Sequence, residues 1–283
     1  MHPRASAPPN PTAGRRGPEG TASVAQSAEV HTPRRLRRGL GVYRLAVAVL
    51  ELIALYGNFN YVLGFSSFAT VNFFSYFTIQ SAILAVIMLT VAGVTALTRP
   101  RDPQWLGIVR TVVMCYLLVS GIVFAVIVAQ ASTRAYRVDV PWSDTLLHFV
   151  VPVLALLAWV VDAVISPRTS PMPWSTLGWV LPFPTLWLVF TLIRGADVGW
   201  YPYFFLDPAQ VGGAIGIAIY CVLVLGIFLA VTAMLVAVSR TITARASARR
   251  LRRERGMGSE RERSGPEPSD PARTGAGSPT PRR

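Results

Sequence analysis

The sequence predicts an all-α membrane protein, a six-transmembrane-helix bundle with disordered termini. Three observations carry that expectation. Of 283 residues, 52% are hydrophobic and only 14% charged, with mean hydropathy +0.44, whereas soluble domains carry about 25% charged residues. Six apolar runs are long enough to cross a hydrocarbon core of about 30 Å as helices. The basic residues are all arginine, and they sit mostly at the two ends and in short loops, which is the pattern that orients membrane helices. The net charge of +13 therefore reads as topology and contact with anionic lipid headgroups, and no nucleic-acid partner is expected.

Taken in order, residues 1–39 form a basic, Pro-rich tail with too few bulky apolar residues to offset the ordering entropy of a core. It is too apolar-poor for a signal peptide. Arg34, Arg35, Arg37 and Arg38 precede the first run and are expected to hold the N-terminus in the cytoplasm. The membrane domain, residues 40–239, contains the runs Leu40–Tyr56, Phe73–Leu97, Trp105–Ala129, Thr145–Ile165, Leu177–Ile193 and Val211–Ser239. An even number of spans returns the C-terminus to the same side. Arg99, Arg101 and Arg168 then fall in cytoplasmic loops, and Arg134, Arg137 and Arg194 in outer ones. The expected location is the plasma membrane, multi-pass, with both termini cytoplasmic. Residues 240–283 begin with a dense arginine segment, expected to continue as a basic helix on the membrane surface, and end in a disordered Pro, Ser and Gly tail. No fixed-period repeat is present, which disfavours a repeat-built transporter.

Depth along the spans, at 1.5 Å of rise per residue, sorts the intramembrane polar residues into two layers. Arg44, Arg110 and Asp162 form the inner one, and an ion pair using Asp162 is its simplest account. The outer layer holds Glu51, then Ser75, Thr78 and Ser81 at i, i+3 spacing, Gln80 beside them, and the loop with Asp197, Tyr201, Tyr203 and Asp207. Each has a plain alternative: hydroxyls bond back to their own helix, and aromatics form an interfacial belt. Gly212 and Gly216 are spaced for close helix packing, Pro182 and Pro184 for a bend in span five. Cys115 and Cys221 lie in apolar runs, as small packing residues rather than a disulfide framework.

The most informative stretch runs from Trp142 to Asp162. Asp144, His148 and Pro152 are four residues apart and share one helix face. Pro152 has no N–H for the carbonyl of His148 and its ring crowds that group, so a kink is expected there. Asp144, one turn before, is placed to orient the imidazole.

The stretches FSYFTIQSAIL (Phe74–Leu84), LLHFVVPVL (Leu146–Leu154) and YPYFFLDP (Tyr201–Pro208) together resemble actinobacterial six-span integral membrane proteins, which look like distant relatives of the androgen-induced-gene family. The resemblance covers about Leu40 to Ser239 and not the tails. That family comprises multi-pass hydrolases of fatty-acid esters of hydroxy fatty acids, and the resemblance implies a threonine nucleophile at Thr78 and a histidine at His148. The context Phe-Thr-Ile-Gln-Ser is closer to the bacterial relatives than to the animal enzymes. The chemistry implied is acyl transfer to water from a lipid-like ester, with His148 as general base. Asp144 or Glu51 would fix the imidazole tautomer, and Gln80, Ser81 or a tyrosine of the outer loop (Tyr201, Tyr203, with Asp207 nearby) would serve the oxyanion and substrate. No metal-ligand cluster, phosphate loop or Gly-x-Ser-x-Gly elbow occurs, so no metal or cofactor is expected. Two other classes stand beside the hydrolase: a small-molecule or proton-coupled carrier in which Glu51 and His148 titrate, and a structural membrane protein whose polar groups only join helices.

Overall fold

Apolar runs of this length satisfy every backbone group internally only as helices, and the computed structural model, which describes residues 34–64, 70–133, 140–165 and 170–263, contains no strand among them. The helices are α1 (Arg34–Leu63), α2 (Thr70–Ser75), α3 (Phe77–Thr98), α4 (Gln104–Thr133), α5 (Trp142–Thr145), a π-helical segment (Leu146–Val150), α6 (Val151–Ile165), α7 (Thr176–Trp179), α8 (Pro182–Val198), a 3₁₀ turn (Phe204–Leu206), α9 (Pro208–Val211) and α10 (Ala214–Arg263). They supply six helical stretches long and apolar enough to span a membrane. The chain is an all-α, six-helix membrane bundle. Residues 34–39, expected within the disordered tail, instead open α1; the rest of the expected tail disorder, at residues 1–33 and 264–283, and the loop arginines Arg134, Arg137 and Arg168 lie outside the described residues.

Span two departs from the expected run Phe73–Leu97. The helix breaks at Tyr76, whose backbone is extended (φ −70°, ψ 133°), so Thr78 becomes the second residue of α3. A continuous helix would bond the Ser75 carbonyl to the N–H four residues on; here Trp187 Nε1 donates to it instead, at 2.9 Å. Ser75, Thr78 and Ser81 therefore do not share one helix face. Ser75 bonds back to the carbonyl of Val71.

Prolines perturb spans four and five, each in its own way. The kink expected at Pro152 is realised as the π segment just before it, where the N–H of Val151 bonds the carbonyl of Leu146, five residues back. Widening the turn is the usual way a helix absorbs one residue too many for its hydrogen-bond ladder. In span five the chain turns at Val180–Leu181 between α7 and α8. Pro184 cannot donate to the Val180 carbonyl, and the hydroxyl of Tyr116 donates to it at 3.1 Å.

Spans one and four run antiparallel. Asn58 Nδ2 donates to Asp144 Oδ1 at 2.5 Å at one end, and Arg44 pairs with Asp162 at 2.9 Å at the other. The expected ion pair is thus present and larger than expected: Asp162 also meets Arg110 at 3.0 Å, Arg110 meets Asp102 at 2.8 Å, and Arg37 pairs with Asp102. Cys115 packs between helices, its thiol against the Phe228 carbonyl and the Thr232 hydroxyl.

Two further expectations are corrected. Gly212 is a turn residue at the end of α9, with φ +78° followed by Gly213 at +82°, rather than the first half of a helix-packing pair; at Gly216 a Cβ would strike the Val211 carbonyl oxygen of its own chain, not a neighbouring helix. Arg194 belongs to α8, not to a loop, and donates to Asn72 Oδ1 at 2.7 Å. The basic segment after Ser239 is helical as expected and continues α10 unbroken to Arg263, because residues 227–255 contain neither Gly nor Pro to break it.

Candidate active site

Breaking span two at Tyr76 puts Thr78 in the first turn of α3, where backbone N–H groups lack helical partners. Its hydroxyl sits among three polar side chains from three other elements. Ser120 Oγ of α4 is 2.9 Å away, His148 Nε2 of the π segment 3.3 Å, and the Tyr203 hydroxyl 3.4 Å. The Thr78 N–H also donates to the Tyr203 hydroxyl, at 3.4 Å.

The imidazole is held on both sides. His148 Nδ1 lies 2.9 Å from the main-chain carbonyl of Asp144. A carbonyl can only accept, so Nδ1 carries the proton and the lone pair of the neutral ring is on Nε2, facing Thr78. Phe124 stacks on the ring, with centroids 3.8 Å apart and planes 12° from parallel. Gly121 comes so close to the His148 carbonyl that a Cβ there would stand 2.4 Å from its oxygen. The acceptor that Pro152 leaves without an N–H is thus packed against a glycine of α4, and α4 carries Ser120 and Phe124 on either side of that contact.

Tyr203 precedes the 3₁₀ turn, outside the spans. Its ring lies 5.7 Å from Tyr76 and 5.8 Å from Trp187. Burial pushes its phenol up to about 12, so it remains an O–H donor at any physiological pH.

These groups line a cavity of about 270 Å³ whose remaining wall is almost wholly apolar, including Phe124, Leu188, Val224 and Phe228. Cys221 lines it as well.

The expected constellation is therefore assembled in part. Thr78, His148 and Tyr203 come together. Asp144 does orient His148, but through its backbone carbonyl; its carboxylate is turned to Asn58. Glu51 is fully buried, yet neither oxygen has a hydrogen-bond partner among the described residues, so it does not fix the imidazole. Gln80 Nε2 donates to the Phe74 carbonyl and Ser81 Oγ to the Thr78 carbonyl, which directs both away from the Thr78 hydroxyl. Tyr201 packs its ring where a Cβ on Gly195 would be. Asp207 caps α9, accepting from the Ala209 N–H at 3.0 Å and Gln210 Nε2 at 2.8 Å. Ser120 was not anticipated; its only sequence signal is the Ser-Gly pair in the middle of an apolar span, with Phe124 one turn on.

A hydroxyl with an imidazole lone pair on one side and O–H and N–H donors on the other has the parts of a nucleophile, a base and an oxyanion site. No group of three or more His, Cys, Asp or Glu suited to a metal ion occurs among the described residues. Comparisons of the chain with protein-family models, curated proteins and solved structures return no match.

Proposed function

We propose that the protein is an intramembrane hydrolase of lipid-like esters, with Thr78 as nucleophile and His148 as general base. The observation that carries this reading is the 3.3 Å approach of Thr78 Oγ1 to His148 Nε2, in a ring whose other nitrogen is already bonded to a carbonyl. His148 takes the Thr78 proton as Oγ1 attacks the ester carbonyl, then returns it to the leaving alkoxide. A water activated by the same nitrogen hydrolyses the acyl-threonine. The Tyr203 hydroxyl and the Thr78 N–H are the nearest donors for the oxyanion, and Ser120 adds a hydroxyl on the same atom. The resemblance to the androgen-induced-gene family supports the same pair.

The apolar cavity suits an acyl chain, and entry from the lipid removes the need for an aqueous channel. The arginine pattern supports cytoplasmic termini, which sets Thr78 in the outer half of the plasma membrane, and the Arg-rich ends suit anionic headgroups. The test is hydrolysis of a fluorogenic medium-chain ester by purified protein. Thr78→Ala and His148→Ala should each lose activity by about 10²–10⁴-fold, with the double variant little worse than either single one. Full activity in Thr78→Ala would end the hydrolase reading.

A further inference from the structure

Arg44, Glu51 and Asn58 are seven residues apart on α1 and all three are buried. Seven residues is close to two helical turns, so they form a single polar stripe that begins at the ion-pair end and finishes near Asp144. The first and last members each have a partner on span four, Asp162 and Asp144. Glu51, halfway between them, has none: it is 0% exposed and both carboxylate oxygens are without a hydrogen bond among the described residues.

Its surroundings are small and apolar. Its stripe neighbours Ala48 and Ala54 pack in clusters that include Ala85, Val151 and Ala155, and Ala82 and Leu147, respectively. The ionisable groups of the adjoining elements sit nearer the two ends. Arg44 and, from α4, Arg110 are tied to Asp162, while Asp144 and His148 belong to the Asn58 end. Span two, Phe77–Thr98, brings no charged residue at all. An ionised carboxylate in such a place would cost several kcal/mol of desolvation with nothing to offset it. A metal cation would need several further oxygen ligands. The one ligand that a lone carboxyl can hold without help is a proton.

We infer that Glu51 is a proton-binding site in the middle of the bundle, occupied at neutral pH and separate from the Thr78–His148 site. Of the glutamates among the described residues, it is the only buried one, which makes it addressable by infrared spectroscopy. Protein in lipid nanodiscs should show a carboxylic-acid C=O band at pH 7, where a glutamate with the ordinary value of about 4.3 would be ionised. The band should be lost in Glu51→Gln. In the wild-type chain it should shift with ¹³C-carboxyl glutamate and not with ¹³C-carboxyl aspartate, a readout that does not depend on the variant folding. A spectrum at pH 7 with no band that responds to the glutamate label would overturn the proposal. The inference does not rest on the hydrolase reading: Glu51→Gln is expected to hydrolyse esters as the wild type does, so the two fail separately.

Discussion

At His148 two atoms of one residue, Asp144, have gone to different partners. Its main-chain carbonyl fixes the imidazole tautomer while its carboxylate serves Asn58. Spacing of four residues makes the meeting of Asp144 and His148 legible in the sequence, but spacing does not say which atom arrives. Widening of the turn around Leu146–Val150 accompanies the contact from the backbone oxygen. Ser120 was illegible for a related reason: a lone serine in an apolar helix ordinarily bonds back to its own helix, and only the neighbouring spans reveal otherwise. The residue most open to test at this scale is Tyr203, which meets both the hydroxyl and the N–H of Thr78, the proposed nucleophile. Tyr203→Phe keeps the ring contacts and removes the donor, so kcat should fall by about 10²-fold with little change in KM. Because burial holds the phenol near 12, the wild-type rate should show no alkaline loss from Tyr203 below about pH 10, the ordinary tyrosine value.

Elements differ in how plainly hydropathy announces them. The six spans follow from their apolar length, and the bend in span five from Pro182 and Pro184. The break at Tyr76 has no Pro or Gly to mark it; it depends on Trp187, over a hundred residues away, capturing the Ser75 carbonyl. Long-range capture of an orphaned carbonyl recurs where Tyr116 meets Val180 and Gly121 meets His148. The last of these joins two elements through a contact with no room for a methyl group. Gly121→Ala must push α4 and the π segment apart, at about 1–3 kcal/mol of stability for an overpacked site. Since α4 also carries Ser120 and Phe124, ester hydrolysis should fall further than the loss of stability explains, which thermal unfolding and kcat measured on the same preparation would separate.

Across the whole bundle, the charged layer was legible in outline, because charges inside apolar runs must find partners. Its extent was not, since Asp102 lies in a short loop and looks like any solvated carboxylate. Burial alone would raise the Asp102 carboxyl, but Arg110 and Arg37 outweigh it and hold it below the ordinary range. A carboxyl depressed on folding stabilises above its unfolded value of about 3.9 and loses that contribution as pH falls through the lower folded one. Asp102→Asn should therefore melt below the wild type at pH 7, where it strands Arg37 and Arg110, and the difference should shrink in acid below about pH 4. If the gap is the same at both pH values, the ion-pair chain does not join these helices electrostatically. The cavity wall has a consequence of its own. Phe77, which lines it, is the sequence neighbour of Thr78 and packs against Phe228 with ring centroids 5.7 Å apart. On the proposed hydrolase reading, an acyl chain would lie against stiff aromatic rings close to the reacting group, and bulky branched acyl groups should therefore react more slowly than straight ones.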